Sequence, residues 1–235
     1  MMILREPKLV FIKTKKTAGS SIEIALGRHL KAGDFATPMS PEEETHREGK
    51  RRIVRQSVRL LRERSDGAIQ ARQAHNGISV VNTYLPDVAD GCFSFCVERN
   101  PWDKAISAFY FWMHQRRIEV IDPNAMFSQF CKTRLNYFSD FGLYSKDGKI
   151  VVDRVLRFEN LAEEFDQLMT ERGLQDTSLG QMRVNAGIRK SSRFDLFYGE
   201  NWRGDNVQVV ADVFSNEIDA FGYDIPSSSN EVVSG

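Results

Sequence analysis

The sequence has no excess of charge of either sign and no long apolar run. Its 235 residues include 32 lysines and arginines and 32 aspartates and glutamates, so the formal net charge is zero. A dedicated nucleic-acid-binding domain usually has a basic excess, so we expect no nucleic-acid partner. No run of about 18 apolar residues is present, so we expect no membrane span. The opening segment, MMILREPKLVFIK, is too short and too charged for a secretory signal.

Cysteine is scarce: Cys92, Cys96 and Cys131 are the three in the chain. They form no metal-ligand pattern, and we expect no metal site. Cys92 and Cys96 are separated by about 13 Å in an extended chain, which is too far for a disulfide. Reduced thiols favour a cytoplasmic location.

The sequence also lacks a glycine period and a sustained heptad, which excludes collagen-like and coiled-coil proteins. Its content of 41% apolar and 27% charged residues is ordinary for a globular protein, so the chain can bury a sizeable core. It contains neither an internal repeat nor a long linker. We therefore predict a single domain over residues 1–235 with a flexible tail at 226–235.

Predicted strands alternate with predicted helices along the chain. Apolar runs predict strands at 8–13, 92–100 and 150–158. Helical spacing of apolar residues predicts helices at 21–30, 41–64, 77–85, 101–117, 123–141, 159–172 and 205–221. This alternation indicates an α/β fold with a mostly parallel sheet. In such sheets, ligands bind beyond the carboxyl ends of the strands.

The first strand-to-helix junction, FIKTKKTAGSSIE at 11–23, has the features of a phosphate-binding loop. Small residues let backbone N–H groups approach an anion, and the helix that opens with Ser20 and Ser21 adds a favourable partial charge. Lys16 supplies a point charge at its mouth. The lysine precedes the turn, so the segment does not fit GxxxxGK[ST], which disfavours a Walker-type nucleotide triphosphatase. The alternative is an ordinary turn with surface lysines.

The second junction, FSFCVERNPWDKAISAFYF at 93–111, places Asn100 as the N-cap of a helix. Arg99 at the strand end and Ser107, eight residues later, can converge on one phosphate. Asp103 falls in the first turn of the helix, where a negative charge suits the helix dipole. In the alternative interpretation, Arg99 pairs with a carboxylate and Ser107 is a small packing residue.

Four segments in order resemble sulfotransferases that use 3′-phosphoadenosine 5′-phosphosulfate (PAPS). KTKKTAGSSIE resembles their 5′-phosphosulfate loop, in the branch with an I-P-K-T-G-G-T-S type loop that includes Golgi carbohydrate sulfotransferases and many bacterial relatives. VERNPWDKAISAFY resembles the 3′-phosphate motif. VLRFENLAEEF at 155–165 and IDAFGYDI at 218–225 resemble two further segments of the branch.

The resemblance implies a three-layer P-loop-like fold, with a central mostly parallel sheet flanked by helices. It implies PAPS as the donor and adenosine 3′,5′-bisphosphate as the product. The acceptor would carry a hydroxyl or an amine, as an acidic glycan or a lipid does. The variable segments 31–74 and 120–148 would form the acceptor side. No metal is required, because lysine and arginine supply the charge.

The resemblance also assigns roles to individual residues. Lys16 would stabilise the leaving phosphate, and His75, just ahead of a helix, would act as the general base. The alternatives to His75 as base are Glu23 and Glu98. The predicted 5′-phosphosulfate ligands are Lys16, Thr17, Ala18, Gly19, Ser20 and Ser21. The predicted 3′-phosphate ligands are Arg99 and Ser107, with Arg189 and Lys190 from the late loop GIRKSSRF.

Two positions depart from the pattern of the branch. Lys15 stands where the branch usually has proline, and Ala18 stands where it often has glycine. Ala18 is tolerable if its φ is negative. Two other functions remain open: a P-loop-like kinase of a small hydroxyl substrate, and a non-catalytic module that binds adenosine bisphosphate.

Overall fold

The computed structural model describes residues 1–47, 50–70, 73–179, 187–191, 193–199 and 204–226. These residues fall into two units. The first is drawn from Met1–Glu98 and Gly142–Val184, and the second from Arg99–Phe141 and Asn185–Gly235. The single domain over 1–235 stays a prediction, and the predicted tail lies outside the described residues beyond residue 226. None of the described helices combines the length and apolar character that crossing a membrane requires.

Strands and helices alternate, which confirms the α/β class. The strands are β1 (Met2–Leu4), β2 (Leu9–Phe11), β3 (Phe35–Ala36), β4 (Phe93–Glu98), β5 (Ser145–Lys146), β6 (Lys149–Ile150) and β7 (Arg154–Arg157). The helices are α1 (Gly19–Gly27), α2 (Pro41–Glu44), α3 (Arg51–Arg64), α4 (Ile78–Tyr84), α5 (Pro101–Gln115), α6 (Pro123–Arg134), α7 (Phe141–Tyr144), α8 (Leu161–Glu171), α9 (Asp195–Tyr198), α10 (Asn206–Val213) and α11 (Ser215–Phe221). Single 3₁₀ turns occupy Leu135–Phe138 and Phe158–Asn160.

The main sheet, in the first unit, is mixed, so the prediction of a mostly parallel sheet is wrong. Its strand order is β3-β1-β2-β4-β7. β4 pairs in parallel with β2 and β7, whereas β1 runs antiparallel to β2 and β3. The sequence analysis did not assign β1 as a strand. Residues 5–8 alone connect β1 to β2, and a connection this short joins antiparallel neighbours, because a parallel crossover needs a dozen residues or more.

Helix α1 packs on this sheet through its apolar side chains. Ile22 and Leu26 are buried in the same cluster as Phe11 of β2 and Phe95 of β4. The helix begins at Gly19, two residues earlier than predicted. Consequently only seven residues separate the end of β2 from the first turn of α1.

The second unit is helical and has an aromatic core. Asn100 caps α5 as predicted, because its side chain accepts a hydrogen bond from the backbone N–H of Trp102 at 3.1 Å. Phe109 of α5 is fully buried and packs edge-on against Phe127 and Phe197. The aromatic side chains therefore hold α5, α6 and α9 together.

Several predicted elements have different bounds in the structure. The predicted helix at 41–64 corresponds to two helices, α2 and α3, and the predicted helix at 123–141 corresponds to α6 and the 3₁₀ turn at Leu135–Phe138. The predicted helix at 205–221 is two helices, α10 and α11, which meet at Phe214, where φ is −110°. The predicted strand at 150–158 is shortened to β7, because the chain before it forms the β5–β6 hairpin. Asp147 and Gly148 make the turn of this hairpin with φ of 51° and 74°. Asp-Gly is a common sequence for such a turn.

Candidate functional site

The connection from β2 to α1 places two residues in left-handed backbone. Lys16 has a φ of 62° and Ala18 a φ of 60°. The condition under which Ala18 would be tolerated, a negative φ, is therefore not met. A residue with a Cβ has a conformational free energy about 1–2 kcal/mol higher in this region than in right-handed backbone. Ala18, just before the helix, is therefore strained. Such strain persists where surrounding contacts hold the backbone in place.

Two threonine hydroxyls fasten this connection to β4. Thr14 Oγ1 donates to the carbonyl oxygen of Val97 at 2.5 Å, and the Thr17 hydroxyl lies 2.7 Å from that of Thr14. Thr17 Oγ1 also donates to the carbonyl oxygen of Thr14 at 3.2 Å. Because the buried Thr17 side chain is engaged within the loop, any contact between Thr17 and an anion would be made by its backbone N–H.

Lys13, which the sequence analysis did not single out, is buried under the first turn of α1. Its Nζ donates to Glu23 Oε2 at 2.8 Å and to Ser20 Oγ at 3.1 Å. Its stem crosses Gly19 so closely that a Cβ there would lie 2.7 Å from Lys13 Cγ. Glycine is therefore required at position 19 because the Lys13 side chain packs against it. The absence of a side chain there also leaves room for an anion.

Glu23 is fully buried and faces the side chains of Lys13 and Arg47 and the amino group of Met1, whose own pKa is lowered by burial to about 6. Lys13 Nζ and the amino group of Met1 each lie 2.8 Å from its carboxylate, and Arg47 Nη2 lies 3.6 Å away. Burial by itself raises the pKa of Glu23, but the positive charges outweigh burial and lower the pKa to about 2. Glu23 is therefore ionised at neutral pH and is a poor candidate for a general base.

His75 contacts the same connection. Its Nδ1 lies 2.9 Å from the backbone carbonyl oxygen of Lys13. A carbonyl oxygen can only accept, so Nδ1 carries the hydrogen of the neutral ring and Nε2 is the nitrogen that can take up a proton. The structure thus brings His75 to the loop that carries Lys16. The other alternative base, Glu98, is buried and accepts a hydrogen bond from the Tyr144 hydroxyl at 2.9 Å.

The predicted 5′-phosphosulfate ligands thus lie in or beside the first turn of α1. Lys16, Ala18 and Ser20 are half-buried, and Gly19 and Ser21 are buried. Since α1 has nine residues, its first turn offers unpaired backbone N–H groups together with a partial positive charge. The arrangement has the chemistry of a small anion site, which we call the cradle (residues 13–21).

In the second unit, Asp103 joins two arginines that were both predicted to bind phosphate. Arg99 Nε lies 2.6 Å from Asp103 Oδ2, and Arg189 Nη1 lies 2.6 Å from Oδ1. Burial raises the pKa of Asp103, but the two guanidinium charges outweigh it and lower the pKa. Arg99 therefore pairs with a carboxylate, as the alternative interpretation required, and that carboxylate also holds Arg189.

The remaining predicted phosphate ligands are less enclosed. Ser107 is half-buried on α5, two turns after Arg99, and Lys190 is exposed. Nη2 of Arg189 is buried and finds no hydrogen-bond partner within the described part of the chain. Asp103 could have been found from the sequence, because it follows Arg99 by four residues, a spacing that pairs opposite charges at the start of a helix.

Comparison with known proteins gives an archaeal relative. The chain is 32% identical over 108 residues to an uncharacterized protein of Archaeoglobus fulgidus, and the match covers 44% of this chain and 85% of the archaeal one. This chain belongs to the same family as that protein. The relationship brings no activity with it. No family model matches the chain, and no solved structure matches it.

Replacing the strained alanine tests the backbone of the cradle. Ala18→Gly should raise the free energy of unfolding by about 1 kcal/mol, because glycine adopts this φ without a Cβ clash. Ala25→Gly, in the interior of α1, should lower it by about 1 kcal/mol or more. Urea denaturation measures both changes. A loss of stability in Ala18→Gly equal to that in Ala25→Gly would show that the left-handed backbone at residue 18 is absent.

Removing the buried carboxylate tests the charge cluster. Glu23→Gln should lower the free energy of unfolding at pH 7 by about 3–5 kcal/mol, because the buried charge of Lys13 loses its counterion and Arg47 keeps only Glu44, at 3.8 Å. The pKa of Glu23 is lowered from 4.5 to about 2 on folding, so its contribution is complete above 4.5 and is lost as the pH falls through 2. The difference between wild type and variant should shrink over that interval.

The matched control is Glu63→Gln, which breaks the exposed ion pair between Arg59 and Glu63 on α3. This change should leave the free energy of unfolding almost unaltered, because exposed pairs contribute little. Equal effects of Glu23→Gln and Glu63→Gln at pH 7 would argue against the charge cluster.

Proposed function

We propose that the chain is a PAPS-dependent sulfotransferase with a three-layer P-loop-like fold, acting in the cytoplasm. It moves the sulfuryl group of PAPS to a hydroxyl or amine of an acceptor, such as an acidic glycan or a lipid. The observation that carries the proposal is the hydrogen bond between His75 and the carbonyl oxygen of Lys13. It links the proposed base directly to the loop that holds the proposed leaving-group lysine.

The cradle supplies the binding chemistry for the 5′-phosphosulfate. Backbone N–H groups at the start of α1 and the hydroxyls of Ser20 and Ser21 are donors that suit a phosphate or sulfate group. Gly19 has no side chain to block the approach. Lys13, held by Glu23, donates to the Ser20 hydroxyl from beneath the first turn.

Lys16 is assigned to the transition state. As the acceptor oxygen bonds to sulfur, the bond from sulfur to the 5′-phosphate oxygen breaks, and negative charge collects on that oxygen. The Lys16 ammonium would stabilise this charge, which is greater in the transition state than in the bound donor. Lys16 is preferred to Lys13 for this role because Lys13 is already neutralised by a buried carboxylate.

His75 is assigned to the proton of the acceptor. With Nδ1 donating to Lys13, the ring is fixed in the tautomer whose Nε2 accepts a proton. Nε2 would take the proton of the acceptor hydroxyl or amine during attack on sulfur. A hydrogen-bonded partner that fixes both tautomer and orientation is a common property of a histidine base.

Recognition of the 3′-phosphate is assigned to the second unit. Arg99 and Ser107 are its proposed ligands, with Arg189 and Lys190 beside them. The shared carboxylate of Asp103 pre-positions the two arginines. The buried Nη2 of Arg189, which has no partner among the residues described, is a donor suited to an anion.

Nucleotide binding and sulfate transfer together test the proposal. In calorimetry, the protein should bind adenosine 3′,5′-bisphosphate more tightly than adenosine 5′-phosphate or ATP. Arg99→Ala should weaken the bisphosphate about tenfold or more and leave adenosine 5′-phosphate almost unchanged, whereas the exposed control Arg116→Ala should change neither. Equal loss for both ligands in Arg99→Ala would contradict the 3′-phosphate assignment.

Transfer of labelled sulfate from PAPS to fractions of a cell extract provides the activity readout. Preference for ATP together with phosphoryl transfer would favour the kinase alternative. Binding of the bisphosphate without transfer of sulfate to any fraction would leave a non-catalytic module.

The two neighbouring lysines of the loop separate binding from chemistry. Lys16→Ala should lower kcat by a large factor while the affinity for adenosine 3′,5′-bisphosphate falls only modestly, because the lysine acts mainly on the leaving oxygen. Lys15→Ala, which removes the same charge one residue away, should change kcat only a few-fold. Turnover of Lys16→Ala within a few-fold of wild type would assign the leaving group to another residue.

The histidine base predicts a pH dependence. Activity should rise with pH as the His75 imidazole loses its proton, because the neutral ring is the active form. His75→Ala should remove this rise and lower kcat by roughly 10²–10⁴-fold without weakening adenosine 3′,5′-bisphosphate. His46→Ala, at an exposed histidine of the same unit, is the control. A His75→Ala enzyme with an unchanged pH profile would refute the assignment.

A further inference from the structure

A surface cavity of about 510 Å³ lies in the second unit, where helices α5 and α6 end. Small-molecule sites in proteins have volumes of about 300–1,000 Å³, so the cavity has the size of such a site. Its walls combine aromatic and cationic side chains, which include Phe111, Trp112, Arg116, Arg134, Tyr137 and Phe138. None of these residues has a role in the proposed function.

The indole of Trp112 is the fixed part of the cavity wall. Its ring packs against the buried rings of Phe130 and Phe138, with centroids 6.4 Å away in each case. Arg116 Cζ lies over the indole, 3.2 Å from its centroid, and Arg134 Cζ lies 5.5 Å from the same centroid. Two positive charges therefore meet at one aromatic ring that the core holds in place.

The two guanidinium groups keep their hydrogen-bond donors available. Among the residues that the structure describes, neither the Arg116 nor the Arg134 guanidinium forms an ion pair or a hydrogen bond. Stacking on a ring engages the flat face of a guanidinium and leaves the N–H groups in its plane for other partners. Those N–H groups form a rigid fork that matches the two oxygens of a carboxylate.

The location of the two arginines at helix ends accounts for only part of this arrangement. Arg116 is the C-cap residue of α5, and Arg134 is the last residue of α6. A cation there offsets the partial negative charge of the helix end, which is about half an elementary charge. That role requires neither a shared indole nor a cavity. Because the two helix ends together offset about one of the two positive charges, the cavity suits a ligand with a single negative charge.

The aromatic part of the wall suits a flat apolar group. Tyr137 is 63% exposed, and its ring meets that of Phe138 edge-on, with the centroids 5.3 Å apart. An aromatic side chain this exposed at the wall of a cavity offers a stacking surface to the ring of a ligand. Phe111, which is half-buried, adds apolar surface to the same wall.

We propose that this cavity binds an aromatic carboxylate. The carboxylate accepts hydrogen bonds from Arg116 and Arg134, and the aromatic ring stacks on Tyr137. The proposal goes beyond the proposed function and does not depend on it, because neither the cradle nor the 3′-phosphate ligands take part.

Titration with 2-naphthoate at pH 7 and physiological ionic strength, followed by the indole N–H NMR signal of Trp112, tests the two arginines. Arg116→Gln and Arg134→Gln should each raise the Kd about tenfold, since each removes charge-assisted hydrogen bonds to the carboxylate. The matched controls are Arg117→Gln and Lys132→Gln, which remove exposed charges that do not line the cavity. These should change the Kd less than about twofold. Equal effects of the lining and the control variants would overturn the proposal.

Two further ligands separate the charge from the ring. 2-Naphthamide, which has the rings without the charge, and cyclohexanecarboxylate, which has the charge without an aromatic ring, should each bind several-fold more weakly than 2-naphthoate. Tyr137→Leu, which keeps apolar surface and removes the ring, should reduce the preference for 2-naphthoate over cyclohexanecarboxylate. Binding of 2-naphthoate no tighter than that of either ligand would overturn the proposal. Tighter binding of D-glucuronate, or no binding of 2-naphthoate to the wild type, would also overturn it.

The outcome is separable from that of the nucleotide tests. Arg116→Ala should weaken 2-naphthoate and leave adenosine 3′,5′-bisphosphate unchanged. Binding of 2-naphthoate that depends on Arg116 and Arg134, with neither bisphosphate binding nor sulfate transfer, would retain the carboxylate site and refute the sulfotransferase. Bisphosphate binding and sulfate transfer without binding of 2-naphthoate would retain the sulfotransferase and refute the carboxylate site.

Discussion

The buried ion pair between Lys13 and Glu23 joins the parts of the candidate site in the first unit. The lysine Nζ holds the carboxylate and the Ser20 hydroxyl, while its backbone carbonyl oxygen receives the hydrogen bond from His75. Its stem passes so close to Gly19 that no side chain fits there. A buried charge that loses its partner is strongly destabilising, so the position of the first turn of α1 and that of His75 are set by one electrostatic constraint.

The same ion pair bears on two further properties of the cradle, the distribution of its lysine charges and the strained backbone of Ala18. Lys13 is neutralised by Glu23, and Lys16 occupies a left-handed position of the same loop. The fixed contacts beneath the helix keep the Ala18 backbone in an unfavourable conformation. Within the proposed function, this division gives Lys13 a structural role and Lys16 a catalytic one.

Local sequence patterns predicted the local features of the fold. They could not predict contacts between residues that are far apart in the sequence. The capping role of Asn100 follows from the adjacent pair Asn100-Pro101, and the structure confirms it. The φ of Ala18 depends on contacts with β4, and the partners Lys13 and Glu23 meet only once β2 and α1 pack together. Asp103 was recognised for its effect on the helix dipole, but its second arginine comes from 86 residues away along the chain. The mixed sheet was missed because β1 is three residues long.

The most direct test of the account is a crystal structure of the protein with adenosine 3′,5′-bisphosphate. The account predicts the 5′-phosphate on the backbone N–H groups of the first turn of α1, within reach of the Ser20 hydroxyl. It also predicts that the Lys13–Glu23 ion pair stays intact. A nucleotide whose 5′-phosphate binds away from the first turn of α1, or a cradle in which Lys13 has left Glu23, would contradict it.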